Sequence, residues 1–251
     1  MSATTLIARK ERGALLQDRR GLGWLLAFSG VLSAFALLLV TDQELSLLDN
    51  AQVVYMLAGT VTAAGAAIAS IMGADAFAGE RERGTLVPLL VAPISPAQLL
   101  MGKALGLAGA WVAMYLLALP YLWAVGAAGQ NLAQAMFYLA LFGTPVVLGF
   151  GYLAMTLSAR GGSVLGALLT SLTVLLFFAS PLLIGPGLRN SAIGEALDAV
   201  NPFAGALNAF DAAIIDSDPL TSQLPRLALV LAWLAIAFLA ARLAARHPRL
   251  R

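Results

Sequence analysis

Long uncharged runs alternate with short charged ones along this chain. From Asn50 to Ala74 there is no Asp, Glu, Lys or Arg, and none from Ala104 to Ala159. Between them lies DAFAGERERGTLVPLLVAPISPAQLLMGK, residues 75–103, which carries Asp75, Glu80, Arg81, Glu82, Arg83 and Lys103. Crossing the hydrocarbon of a bilayer takes a helix of about 20 mainly apolar residues, and the pattern predicts six such spans: Leu22–Val40, Ala51–Ala74, Ala104–Val125, Gln134–Leu157, Val164–Gly185 and Leu224–Leu243. The run after Lys103 is too long for one helix, and Gly126-Ala-Ala-Gly129-Gln-Asn divides it into a hairpin. Pro186 and Gly187 end the fifth span. Arg226 and Arg242 bracket the sixth and are long enough to reach the interfaces.

Placing the charges on these spans separates their signs. Of the 15 Lys and Arg residues, all but Arg189 and Arg226 fall on the side holding the N-terminus, the 75–103 segment, Arg160 and the C-terminal tail. The other side holds Asp42, Glu44, Asp49, Glu195, Asp198, Asp211, Asp216 and Asp218. Basic residues mark the cytoplasmic side, so both termini and the 75–103 segment are expected in the cytoplasm. Residues 1–20 are expected to form a short helix at that face, with Arg19 and Arg20 at anionic head groups. No small-residue cleavage site follows the first apolar run, so it is read as a retained span rather than a signal peptide.

Composition narrows the chemistry. The chain of 251 residues is 60% hydrophobic and 11% charged, against about 25% charged in soluble domains, and its mean hydropathy is +0.87. There is no cysteine, and the one histidine is His247. Thiolate metal sites, disulfides and a Ser-His-Asp triad among the spans are therefore excluded, and no metal site or catalytic residue is expected. A P-loop requires Gly-x-x-x-x-Gly-Lys-Ser/Thr. Here Gly102-Lys103 is followed by Ala104, with Ala97 at the first Gly position, so this chain is expected to hydrolyse no ATP. No acid or base lies deep in a span, which argues against an ion-coupled carrier or channel. An Ala/Gly/Leu-rich helical chain suits a bacterial inner membrane better than an outer-membrane barrel.

Small residues fill the helices, and Gly102, Gly106 and Ala110 form a small-xxx-small row of the kind that lets backbones approach. Pro120 and Pro145 are expected to bend their helices. Between the fifth and sixth spans, residues 187–222 are part apolar and part acidic. Ala192–Val200 is expected as one short helix, stopped before Asn201-Pro202, and Leu207–Ile215 as another.

The segment Ala78-Gly79-Glu80-Arg81-Glu82-Arg83-Gly84-Thr85-Leu86, followed by Leu89-Leu90-Val91-Ala92-Pro93-Ile94-Ser95 and Gly102-Lys103, resembles the loop after the second of six spans in ABC-2 type transporter permeases. The N-terminal RKERGALLQDRR resembles that family's basic lead-in helix, and Asn201-Pro202-Phe203 its external re-entrant region. The resemblance extends over nearly the whole chain. It implies a single all-α polytopic domain, 1–251, with six transmembrane helices, cytoplasmic termini, a cytoplasmic coupling helix and an external re-entrant helical segment. It also implies a separate P-loop ATPase subunit that binds ATP and Mg, and a second permease subunit, identical or not. No nucleic acid partner is expected. Gly79, Glu80, Arg81, Glu82, Arg83, Gly84 and Thr85 would form the coupling interface: the charges pair across it, Gly79 and Gly84 permit sharp turns, and Leu86, Leu89 and Leu90 face the bundle. Export is the leading expectation. The alternative is a membrane component of a complex that matures a cofactor-bearing or envelope protein.

Overall fold

In a computed structural model the structure is described for residues 3–41, 50–126, 132–180 and 199–248, with the single positions 192 and 196. Among these residues there is no strand. The helices are α1 (Ala3–Gln17), α2 (Arg19–Thr41), α3 (Asn50–Glu82), α4 (Leu86–Val91), α5 (Pro96–Gly126), α6 (Leu132–Tyr138), α7 (Thr144–Arg160), α8 (Val164–Ala179), α9 (Pro202–Ile214) and α10 (Leu224–Arg246). Five helical stretches are long and apolar enough to cross a bilayer: Gly21–Leu38, Ala51–Glu82, Pro96–Ala124, Leu132–Arg160 and Leu220–Arg246. The shorter apolar Val164–Ala179 is the remaining predicted span. Its expected continuation to Gly185 lies outside the described residues.

Two boundaries differ from expectation for one reason. Hydropathy marks where a helix meets lipid, whereas capping marks where it stops. The second spanning helix was expected to end at Ala74 but continues to Glu82, so Asp75, Glu80, Arg81 and Glu82 are helical. At 33 residues α3 is about 50 Å long against a hydrocarbon core of about 30 Å, long enough for its charged end to extend past the lipid. It stops at Gly84, whose φ of 71° suits a residue without a Cβ. The Gly84 N–H donates to Arg81 O (2.9 Å) and the Thr85 N–H to Glu80 O (2.8 Å), the two bonds of a Schellman motif. The third spanning helix was expected from Ala104 and begins at Pro96. Ser95 and Gln98 form a reciprocal capping box: the Gln98 N–H donates to Ser95 Oγ (3.2 Å) and the Ser95 N–H to Gln98 Oε1 (2.9 Å). Pro96 follows at the first helical position, where its missing N–H costs nothing.

The fourth span is continuous from Leu132 to Arg160 but contains a π-helical turn, Leu139–Gly143. Pro145 has no N–H for the carbonyl four residues back, and the wider turn just before it absorbs the mismatch. The expected bend is thus a local change of register. Polar side chains tie the spans together, as lipid-facing helices require. Trp111 Nε1 donates to Thr144 Oγ1 (2.8 Å) and Tyr115 Oη to Met136 O (2.9 Å). Tyr121 Oη shares hydrogen bonds with Ser29 Oγ (2.9 Å) and Ser33 Oγ (2.7 Å). Phe150, Phe178 and Trp233 meet with ring centroids 5.2–5.8 Å apart, joining α7, α8 and α10.

The expected helix at Leu207–Ile215 begins five residues earlier, at Pro202. Asn201, read as a stop, is a start. Its Oδ1 accepts from the Phe203 N–H (3.0 Å) and the Ala204 N–H (3.2 Å), while its Nδ2 donates to Phe178 O (2.7 Å) at the end of α8. Of the expected Ala192–Val200 helix, positions 192, 196, 199 and 200 are described and are helical, and the other five lie outside the described residues. With 13 residues α9 is about 20 Å long, too short to cross, yet it is buried along nearly its whole length. Arg226 Nη1 holds its other half through Asn208 O (3.1 Å). Asn201→Ala removes both a cap and an interhelical tie, and is expected to cost about 2 kcal/mol. In detergent this should lower the thermal midpoint by about 5 °C. Asn201→Asp keeps the cap, loses only the donor and should fall between the two.

Candidate functional site

The charged end of α3 is a junction of helices. Glu80 is buried, with 6% of its side chain exposed, and sits 3.1 Å from Lys10 Nζ and 3.6 Å from Lys103 Nζ. Lys103, 4% exposed, also contacts Glu11 Oε1 at 2.9 Å. Two acids and two bases from α1, α3 and α5 thus form one cluster. The Thr85 hydroxyl donates to the Glu80 carboxylate and is 3.1 Å from the Glu80 carbonyl, so the same acid steadies the entry to α4. Burial alone would push the Glu80 carboxyl up. The Thr85 hydrogen bond, Lys103 and Lys10 outweigh burial and hold it down at about 2.

The next two charges face the other way. Arg81 Nη2 donates to Gly161 O (2.6 Å), at the end of α7. Glu82 Oε1 accepts from the Val164 N–H (2.8 Å), the first residue of α8. A cation at a helix C-terminus and an anion at an N-terminus each suit the helix dipole and satisfy groups the helices leave open. Behind them the Ser158 hydroxyl of α7 accepts from the Phe77 N–H (3.0 Å) and Ala78 N–H (2.8 Å) and donates to Ala74 O (2.6 Å), which seats α7 on α3.

Arg83 forms a bidentate pair with Asp75, 3.1 Å on each branch, and this hydrogen bonding raises the pKa of the already basic guanidinium. The pair lies flat across Gly79, where a Cβ would collide with the Asp75 carboxylate and stand 2.9 Å from Arg83 Nη2. Gly79 was expected to make a turn; it is helical, and its use is space for that ion pair. Gly84 does make the turn.

Beyond the exposed Glu82, Arg83, Gly84 and Thr85, the segment shows α4 to the outside. Leu86 is buried and Leu89 and Leu90 are partly buried against the core. Val87 and Val91 are 55% and 80% exposed, and Pro88 and Pro93 are exposed beside them. The charges singled out in the sequence are engaged within the chain, and the bare surface next to them is apolar.

The glycine row has an unexpected occupant. A Cβ on Gly102 would lie 2.6 Å from Ile7 Cβ, one on Gly106 2.5 Å from Glu11 Cβ, and one on Gly109 3.1 Å from Arg12 Cδ. The row therefore seats α1, not another spanning helix, and brings Lys10 and Glu11 to Glu80 and Lys103. Lys10, Glu11, Lys103, Ser158 and the Gly161–Ser163 turn carried no local signal of these roles. Their hydrogen-bond partners lie 70 to 92 residues away; the Lys103–Glu80 ion pair is the shorter-range contact. The second candidate group, Asn201, Pro202 and Phe203, is buried at the start of α9 and is not part of this junction.

Among the described residues, the charged groups of this junction are committed to one another or to backbone groups. The arrangement can carry displacement: an exposed short helix on a tightly closed turn, joined to α1 and α5 through the Glu80–Lys103 ion cluster and to α7 and α8 by hydrogen bonds from Arg81 and Glu82. Comparison with curated proteins finds no match. The family model for the ABC-2 family transporter protein matches residues 5–244. With nearly the whole length matched and an all-helical, bilayer-crossing architecture around it, the chain belongs to the ABC-2 family of transporter proteins, as a multi-pass membrane component of a transport system that is not itself catalytic.

Proposed function

We propose that this chain is the permease half of an exporter powered by a separate P-loop ATPase, with the junction of α3, α4 and α5 in the cytoplasm of a bacterial cell and the bundle in its inner membrane. One observation carries the reading most directly. The ridge Val87, Pro88, Val91 and Pro93 is exposed and apolar, and it stands on a turn fixed by two backbone hydrogen bonds and a buried acid. An apolar surface held rigid outside the lipid is suited to a protein partner. The concentration of basic residues at this end supports the cytoplasmic placement. ATP and Mg would bind in the partner.

The residues Gly79–Thr85 keep the coupling role in this reading, but from behind the interface. Glu80, Arg81 and Glu82 pass the motion of α4 into the bundle, Arg83 braces α3, and Gly84 and Thr85 set the angle of α4. A second permease subunit is assigned to the face of α3 bearing Thr60 and Ala63, where a small side chain permits close approach, while Gly59 beside them is covered by Leu207 of α9. There a groove of about 270 Å³, lined also by Tyr55, Met56 and Leu207, opens to the side. Asn201-Pro202-Phe203 and α9 would form the outer, re-entrant lid over the pathway.

The test is co-purification from native membranes. A P-loop ATPase should accompany the wild-type chain, and V87D/V91D should lose it at least tenfold while the chain still folds, because both side chains already face outward. Retention of the ATPase by V87D/V91D would defeat the docking assignment.

A further inference from the structure

We infer that Arg81 and Glu82 act as positioning residues in a two-point clamp that makes α8 move with α3 and α4 as one body. The inference rests on the reading of α4 as the docking element and adds the route by which its motion reaches a second spanning helix. Only Gly161, Gly162 and Ser163 separate α7 from α8. Arg81 holds the carbonyl at the start of that turn at 2.6 Å, and Glu82 holds the N–H at its end at 2.8 Å. Neighbouring residues on α3 thus grip both sides of one short turn, with the sign of charge that each helix end favours. Ser158 fixes the preceding turn of α7 to the same stretch of α3.

At the other end, the Schellman turn bonds Gly84 and Thr85 to the carbonyls of Arg81 and Glu80. A push on α4 therefore enters α3 at the residues that hold α8. A three-residue turn gripped at both sides has no slack in which to lose the displacement. Glu80 serves α1 and α5, so the three consecutive charges Glu80, Arg81 and Glu82 divide the bundle between two outputs. Hydropathy and charge sign alone do not distinguish these outputs.

The chain has no cysteine, so spin labels go only where cysteines are introduced. Val91→Cys on α4 and Leu169→Cys on α8 are both at exposed positions. In the full chain in lipid nanodiscs the pair should give one narrow distance distribution. R81A/E82A should broaden it at least twofold. R81K/E82Q should restore it, because lysine still donates and the glutamine carbonyl still accepts; a general loss of packing would not be rescued by this exchange. Should R81A/E82A fail to fold, Glu82→Ala alone, at an exposed position, gives the same reading. An unchanged width in the alanine variants, or no rescue in R81K/E82Q, overturns the clamp.

A second label pair, Leu169→Cys with Leu239→Cys on α10, reads the motion in complex with the co-purifying ATPase. A non-hydrolysable ATP analogue should shift this distance in the wild-type background, and R81A/E82A should abolish the shift. If no ATPase co-purifies, the docking reading fails while the first pair still decides the clamp by itself.

Discussion

Replacing Gly73 with alanine should cost the protein about 3 kcal/mol, the largest loss expected from any one-carbon change in the bundle. Gly73 lies where α3 meets α7. An added Cβ would fall well inside van der Waals distance of the Gly151 carbonyl, 2.8 Å from Ala154 Cβ and 3.1 Å from the Met155 nitrogen. Two of these neighbours are backbone atoms, so no rotamer change can relieve the overlap and the helices must separate. Overpacking typically costs about 1–3 kcal/mol; a backbone-against-backbone clash belongs at the top of that range. Helix association in lipid relies on close packing, since apolar side chains gain little by leaving the tails. Gly30→Ala is the matched control, because a Cβ there meets nothing within 4 Å. Thermal unfolding in detergent should show Gly73→Ala falling by about 10 °C and Gly30→Ala unchanged. Equal midpoints for the two variants would refute the packing argument.

Glu80→Ala should be nearly as damaging, at about 3 kcal/mol, through charge. It leaves Lys103, 4% exposed, with Glu11 as its remaining acid, and it strips Lys10 and Thr85 of their shared acceptor. Breaking a buried pair by removing one member costs about 3–5 kcal/mol, and the surviving Glu11 contact places this case at the lower end. The pH dependence has a definite sign. A carboxyl held at about 2, below its ordinary 4.5, binds protons less readily in the folded state than in the unfolded one. Its contribution to stability is full above about pH 4.5 and disappears as pH falls through about 2. The gap in unfolding midpoint between wild type and Glu80→Gln should therefore close across that window. A gap that stays constant down to pH 2 would remove Glu80 from the cluster's energetics.

The spans were legible because uncharged runs of that length have few other places to go. The six predicted runs agree with the five long apolar helices and the shorter α8. What the runs could not give was the ends of helices that outlast the lipid. Those ends obey local chemistry, of which the turn at Gly84 is the part anticipated from the sequence. Gly84 after a charged helical stretch marks a Schellman stop, and Ser95-Pro96-Ala97-Gln98 spells a capping box with proline in place. Asn201-Pro202-Phe203 is likewise a helix start, though it was read as a break.

The junction was legible only in part, and the reason is distance along the chain. The composition of Glu80–Arg83 marked a candidate segment, but its partners are Lys10, Lys103, Gly161 and Val164, fixed by tertiary packing. The glycine row Gly102-Gly106 told of close backbone approach without saying which helix approaches. A small surface accepts any helix that presents a matching face, and here Ile7 and Glu11 of α1 do so.

The bare ridge on α4 has a consequence for supply. Under the docking proposal, a copy of this chain made in excess of its ATPase would leave Val87 and Val91, 55% and 80% exposed, uncovered on a segment too well anchored to tuck them away. Such an orphan would be a target for membrane quality-control proteases and a seed for clumping. Overproduction without the counterpart would then select for degradation rather than for more transporter.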